Sequence, residues 1–122
     1  RLINLRKKNA IIYKKLFQNK SYVQIQEEIS ESSWFGFSFI LTGKLKNKRD
    51  KLIKILDYYN IENRPIVAGN IKKHKMMKYF KNLSFKNLRN ASLVNKNGFM
   101  LGNSHKNLKK QLEFVSNLIS KL

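Results

Sequence analysis

The sequence predicts an α+β fold, a small sheet of about four short strands packed against helices in one compact domain. Three observations predict it. Apolar residues recur at helical spacing over 1–17, 47–59 and 106–122. Short runs rich in aromatic and β-branched residues, at 34–41 and 98–103, are bracketed or interrupted by Gly and Ser. No internal repeat and no low-complexity linker divides the 122 residues, and 42% apolar content suffices for one core.

Taken in order, residues 1 to about 17 form a predicted helix. Leu2, Leu5, Ile12 and Leu16 define its stripe, Tyr13 and Phe17 widen it, and Asn9 interrupts it. Residues 22–26 alternate weakly as a strand, and an acidic patch, Glu27, Glu28 and Glu31, follows with serines. The strongest strand is 34–41, where the small Gly36 and Ser38 share a face with Trp34 and Ile40 and permit close approach of another element. A helix from Asn47 or Lys48 to Tyr59 presents Leu52, Ile55, Leu56 and Tyr59 to a core.

The segment 62–70 (Glu-Asn-Arg-Pro-Ile-Val-Ala-Gly-Asn) holds the only proline. Pro65 fixes its own φ and drives Arg64 into extended geometry. Ile66 and Val67 favour a strand, and Gly69-Asn70 favour a turn. A short strand would therefore deliver Glu62 and Arg64 at one end and Asn70 at the other, as a binding surface does; from spacing alone, an ordinary edge strand with a polar turn is the first reading. Beyond it, 71–87 is basic and irregular with one helical turn at 76–80, 88–96 is a short helix, and 98–103 is a strand. The helix 106–122 takes Asn103 or Ser104 as its cap.

Composition removes several function classes. Without cysteine there are no disulfides or thiolate metal sites. No run approaches the roughly 20 apolar residues that span a bilayer. The net charge of +19 suggests nucleic acid, yet only five of the 26 basic residues are arginine and the lysines occupy every segment, so a solvated lysine surface is the expectation. A stand-alone basic module for RNA or an anionic surface is the alternative. His74 and His105 lie in Lys-rich surroundings, carboxylates are few, and no metal site is expected. No glycine-rich phosphate loop occurs. Lys86, in Ser84-Phe85-Lys86, reads as an ordinary exposed lysine and not a Schiff-base residue. Alone, the chain is expected to catalyse nothing. It starts Arg-Leu-Ile-Asn, without methionine, and reads as a piece of something longer.

Four ordered motifs carry a resemblance. Residues 61–70 resemble the IETRPIVAGN stretch of the DegT/DnrJ nucleotide-sugar aminotransferases, 33–37 the SWFGF strand, 77–80 the MKYF that follows, and 97–103 the NGFFIGN strand that precedes a last helix. The resemblance covers nearly the whole chain and is strongest to the 4-keto-6-deoxyhexose 3-dehydratase branch of lipopolysaccharide dideoxysugar biosynthesis. It implies the C-terminal small domain of a fold-type-I pyridoxal-phosphate enzyme, with 1–20 the helix leading from a large domain and 21–122 the small domain proper. It implies that the cofactor is bound mainly by the large domain, which also supplies the catalytic Lys or His. It further implies a nucleotide-linked 4-keto-6-deoxyhexose as substrate, a cytoplasmic homodimer, and Glu62, Arg64, Asn70, Asn103 and His105 as substrate-facing residues, with Lys72 and Lys73 attracting the diphosphate. Lys75, His74 and Ser104-His105 depart from the family's pattern.

Overall fold

A computed structural model describes residues 2–80 and 87–122. Ser84 to Lys86 lie outside the described residues. The four strands are β1 (Val23–Ile25), β2 (Gly36–Leu41), β3 (Asn63–Arg64) and β4 (Gly98–Gly102), in the order β1-β2-β4-β3 and antiparallel throughout. Register sets what each face carries, because alternate residues point the same way. Leu41 stands opposite Val23, Phe39 opposite both Ile25 and Phe99, and Phe37 opposite Leu101. This face is the core. Helices α1 (Leu2–Phe17), α2 (Arg49–Tyr58) and α4 (Lys109–Ser120) join it through Tyr13, Phe17, Leu52, Leu56, Leu112, Val115 and Ile119 in one buried cluster. The opposite face carries Gly36, Ser38, Ile40, Gly98, Met100 and Arg64, and α3 (Arg89–Asn97) leads directly into β4.

The sheet of four short strands with helices matches the predicted class, and several element details change. The stripe of α1 is rotated from the expected one: Asn9, Ala10, Tyr13 and Phe17 are buried, whereas Leu2 is 60% exposed. Asn9 is no interruption, because its amide is fully engaged by hydrogen bonds and so enters the core at little cost. β2 begins at Gly36, not residue 34, since Trp34 has φ of 53° and turns the chain before pairing starts. The expected strand over 62–70 is two residues long. Pro65 offers no N–H to the ladder, and a turn takes over after it. The last helix starts at Lys109, where Asn107 Oδ1 accepts from Lys109 N at 2.9 Å; Asn103 and Ser104 do not cap it. The predicted turn at 76–80 is a 3₁₀ segment, Lys75–Tyr79.

Trp34 is held in its left-handed conformation by a carboxylate. Glu28 Oε1 accepts from Trp34 Nε1 at 2.9 Å and from Ser32 N at 3.1 Å, while Oε2 accepts from Lys14 Nζ at 2.8 Å. The acidic patch thus contains one structural member. The Lys14 hydrogen bond, with help from Ser32, Trp34 and the lysine's charge, holds the Glu28 carboxyl below its ordinary value against the opposing effect of desolvation. A depressed folded-state pKa contributes stability above the unfolded value of about 4.3 that is lost as pH falls through the folded one. The thermal midpoint of the wild type should therefore fall more steeply than that of Glu28→Gln from about pH 5 to about pH 3. Trp34 fluorescence, from the only tryptophan, reads both curves. Parallel curves would remove Glu28 as the clamp.

Candidate functional site

Sheet register places Arg64 opposite Met100, on the face away from the core, and Glu62 shares that face by alternation. The Arg64 guanidinium donates from Nη2 and Nε to Glu62 Oε1, at 2.7 and 3.1 Å. Both side chains are exposed, 68% and 76%, so this pair holds itself weakly and can exchange partners. Glu62, Arg64 and Asn103 line one small pocket of about 160 Å³ with Phe35, Met100 and Gly102. Three of the five predicted residues therefore meet.

Asn70 stands elsewhere. After Pro65 the chain makes a tight turn in which Gly69 N donates to Ile66 O at 3.2 Å, with Ala68 at φ 67° and Gly69 at φ 49°. Gly is favoured at position 69, because its φ is positive and a Cβ there would also press on Asn95 Oδ1. That oxygen accepts from Asn70 N at 3.3 Å. The buried Asn70 side chain donates to Ser92 Oγ at 2.8 Å and accepts from Lys72 N at 3.1 Å. His74 Nε2 donates to Ala68 O at 2.8 Å. Two residues of α3, Ser92 and Asn95, thus pin the turn through Asn70. The turn walls a larger cavity of about 570 Å³, lined by Arg49, Arg64, Ile66, His74, Val94 and Gly98 among others.

Asn103 also has structural bonds. Its Nδ2 donates to Trp34 O at 2.9 Å and Arg6 O at 3.1 Å, and its Oδ1 accepts from Asn9 Nδ2 at 3.0 Å. Asn9 Nδ2 also reaches Lys106 O at 2.8 Å, and Asn9 Oδ1 accepts from Leu108 N at 3.1 Å. The two amides tie α1 to the β4–α4 connection. His105 is exposed on that connection and lines none of these cavities. Arg49, which the sequence did not single out, joins Arg64 only through the fold. Its one local signal is a place at the start of α2, which many surface basic residues share.

Among the described residues no group of three or more His, Cys, Asp or Glu is arranged for a metal, and no helix is long and apolar enough to cross a membrane. Residues 1–120 match the DegT/DnrJ/EryC1/StrS aminotransferase family. The chain belongs to that family. Among its members, GDP-4-keto-6-deoxy-D-mannose 3-dehydratase of Yersinia pseudotuberculosis is 39% identical over 120 residues, which cover 98% of this chain and 30% of the relative. The structure of Escherichia coli GDP-4-keto-6-deoxy-D-mannose-3-dehydratase with bound hydrated PLP superposes with a TM-score of 0.84 at 37% identity, over 95% of this chain and 30% of that one. A variant of GDP-4-keto-6-deoxymannose-3-dehydratase with bound GDP-perosamine gives 0.85 at 36% identity, over 96% and 31%. The chain spans about 30% of the length of these relatives. None of these findings supports the RNA-binding alternative.

Proposed function

We propose that this chain is the C-terminal small-domain part of a pyridoxal-phosphate-dependent nucleotide-sugar 3-dehydratase, and that its exposed sheet face closes the sugar-nucleotide site. The convergence of Glu62, Arg64 and Asn103 in one pocket on that face carries the reading. Identities of 36–39% to 3-dehydratases of a GDP-linked sugar favour dehydration over amino transfer. In this reading a GDP-linked 4-keto-6-deoxyhexose is the substrate, Glu62 and Arg64 meet it directly, and Asn70 acts by fixing the turn. Asn103 lies at the pocket floor, and His105 contacts substrate only from outside the pockets seen here. The segment 1–20 connects to a larger cofactor-bearing part. The resemblance to the lipopolysaccharide dideoxysugar branch supports a cytoplasmic homodimer.

The residues described here do not themselves build a cofactor site. Every described lysine is at least partly exposed, and the cavities are open surface pockets and not an enclosed slot for a planar phosphorylated ring. The chain's contribution is binding and orientation of the nucleotide sugar, which is where an enzyme of this kind leaves its protein half of the work. In the full-length protein, Arg64→Ala is expected to lower kcat/KM for the GDP-linked 4-keto-6-deoxymannose about 100-fold, mainly through KM, because a charge-assisted contact is lost. Its thermal midpoint should barely move, since an exposed ion pair contributes roughly 0–1 kcal/mol. Unchanged kcat/KM would exclude Arg64 from the site.

A further inference from the structure

We infer that the cavity between the 65–69 turn and the start of α2 is an anion subsite, in which Arg49 and Arg64 grip a diphosphate with His74 at the wall. The inference rests on the nucleotide-sugar reading but concerns a pocket and a residue that the reading does not use.

Three observations point to it. First, Arg49, Arg64 and His74 line the same open cavity, whose remaining lining is Asn95, apolar side chains and turn backbone. Its volume of about 570 Å³ falls in the range of sites for small molecules. Second, the two arginines are paired only with exposed carboxylates. The carboxylates that touch the two arginines are Asp50 and Glu62, and both are exposed, 86% and 76%, where water screens them. A desolvated diphosphate would compete well against such partners, because planar guanidinium groups bind phosphate oxygens in pairs.

Third, Arg49 is aimed by the same residue that shapes the turn. Its Nη1 donates to Asn95 O at 2.7 Å, while Asn95 Oδ1 accepts from Asn70 N at 3.3 Å. One residue of α3 therefore sets both the arginine and the opposite wall. Arg49 Nε and Nη2 each reach Asp50 Oδ1 at 3.3 Å, long contacts that a phosphate oxygen can displace. Its side chain is 28% exposed, so it is held in place and still reachable. An arginine that served only to close α3 onto α2 would need the Asn95 bond alone. Of its five N–H groups, two remain without an acceptor among the described residues.

Isothermal titration of GDP and of inorganic pyrophosphate into the full-length protein tests the assignment. The variants are Arg49→Gln, Arg49→Lys and, as a control for bulk charge, Lys8→Gln on the exposed side of α1. Arg49→Gln should weaken both ligands at least 10-fold and Arg49→Lys by an intermediate factor, since lysine keeps the charge and loses the fork. Lys8→Gln should change neither by more than 2-fold. Thermal midpoints within about 3 °C of the wild type certify the fold; should Arg49→Gln fall outside, Arg49→Lys carries the comparison. Equal effects of Arg49→Gln and Lys8→Gln, with GDP still bound, would overturn the subsite and leave the nucleotide-sugar reading standing. Pyrophosphate binding that depends on Arg49, without GDP binding, would support the subsite and remove that reading. Failure of the wild type to bind either ligand would overturn both.

Discussion

Phe39→Ala should destabilise the protein by about 4 kcal/mol, the range measured when a large aromatic side chain is deleted from a packed core. Phe39 is fully buried at the middle of β2, where the register leaves it flanked by Ile25 and Phe99. Its ring stacks on Phe99 at 4.9 Å and meets Phe17 and Tyr13 edge-on at 5.0 and 5.1 Å. Tyr13 is itself stacked on Phe37 at 4.7 Å and donates its hydroxyl to Ser38 O, which fixes α1 against β2. Burial pushes the Tyr13 phenol well above its ordinary range, so it remains a donor at neutral pH. Truncating Phe39 therefore removes the contact at which α1, β2 and β4 converge, and no neighbour can collapse into the space without leaving its own partners. Equilibrium urea unfolding, followed by Trp34 fluorescence, should show a lower midpoint at an unchanged slope. A loss under 1.5 kcal/mol would mean that the aromatic cluster repacks, contrary to the rigid register described here.

What the sequence discloses depends on whether the controlling contact is local. Phe37, Phe39 and Leu41 are legible because burial follows the period of a strand and each residue speaks for itself. α4 is legible in its body but not in its start, since Leu112, Val115 and Ile119 repeat while the first N–H groups go to Asn107 and the distant Asn9. β3 misleads because Ile66 and Val67 carry strand propensity, yet the missing N–H of Pro65 and the left-handed Ala68 and Gly69 end the ladder. Asn9 misleads in the other direction: a polar residue in a helix reads as solvent-facing until its partner, 94 residues away, is known.

The same division runs through the site. Arg64 is legible because Pro65 constrains it and Glu62 lies two positions before it on the same face. Arg49 is not, because nothing nearby in sequence distinguishes it from the other basic residues of α2; only the fold carries it to the turn. Glu28 is the intermediate case. Its acidic neighbours conceal it, although Trp34 six residues later is a donor at the spacing one turn can bridge.

Asn103 separates structure from recognition most sharply, and the substitution that does so is Asn103→Asp. The side chain is 7% exposed, and its NH₂ group faces two carbonyl oxygens, those of Trp34 and Arg6. A carboxylate there would turn two donated bonds into two repulsions and bury a charge, so a loss of about 3 kcal/mol at pH 7 is expected. Asn103→Leu, which removes the bonds but adds no charge, should cost about 2 kcal/mol. The signs with pH then differ. In the aspartate variant the folded state favours the protonated acid, so its pKa is raised above the unfolded value of about 3.9. The native state binds the extra proton, and the stability deficit is smallest below about pH 4 and grows as pH rises toward the folded value. That trend is opposite to the one Glu28 imposes, and the leucine variant should keep the Glu28 trend of the wild type with none added. Thermal midpoints of the three proteins between pH 3.5 and 8 read it directly. Were the aspartate variant as stable as wild type at pH 7, the amide could not be holding Trp34 and α1 together, and Asn103 would be free to turn wholly toward the Glu62–Arg64 pocket.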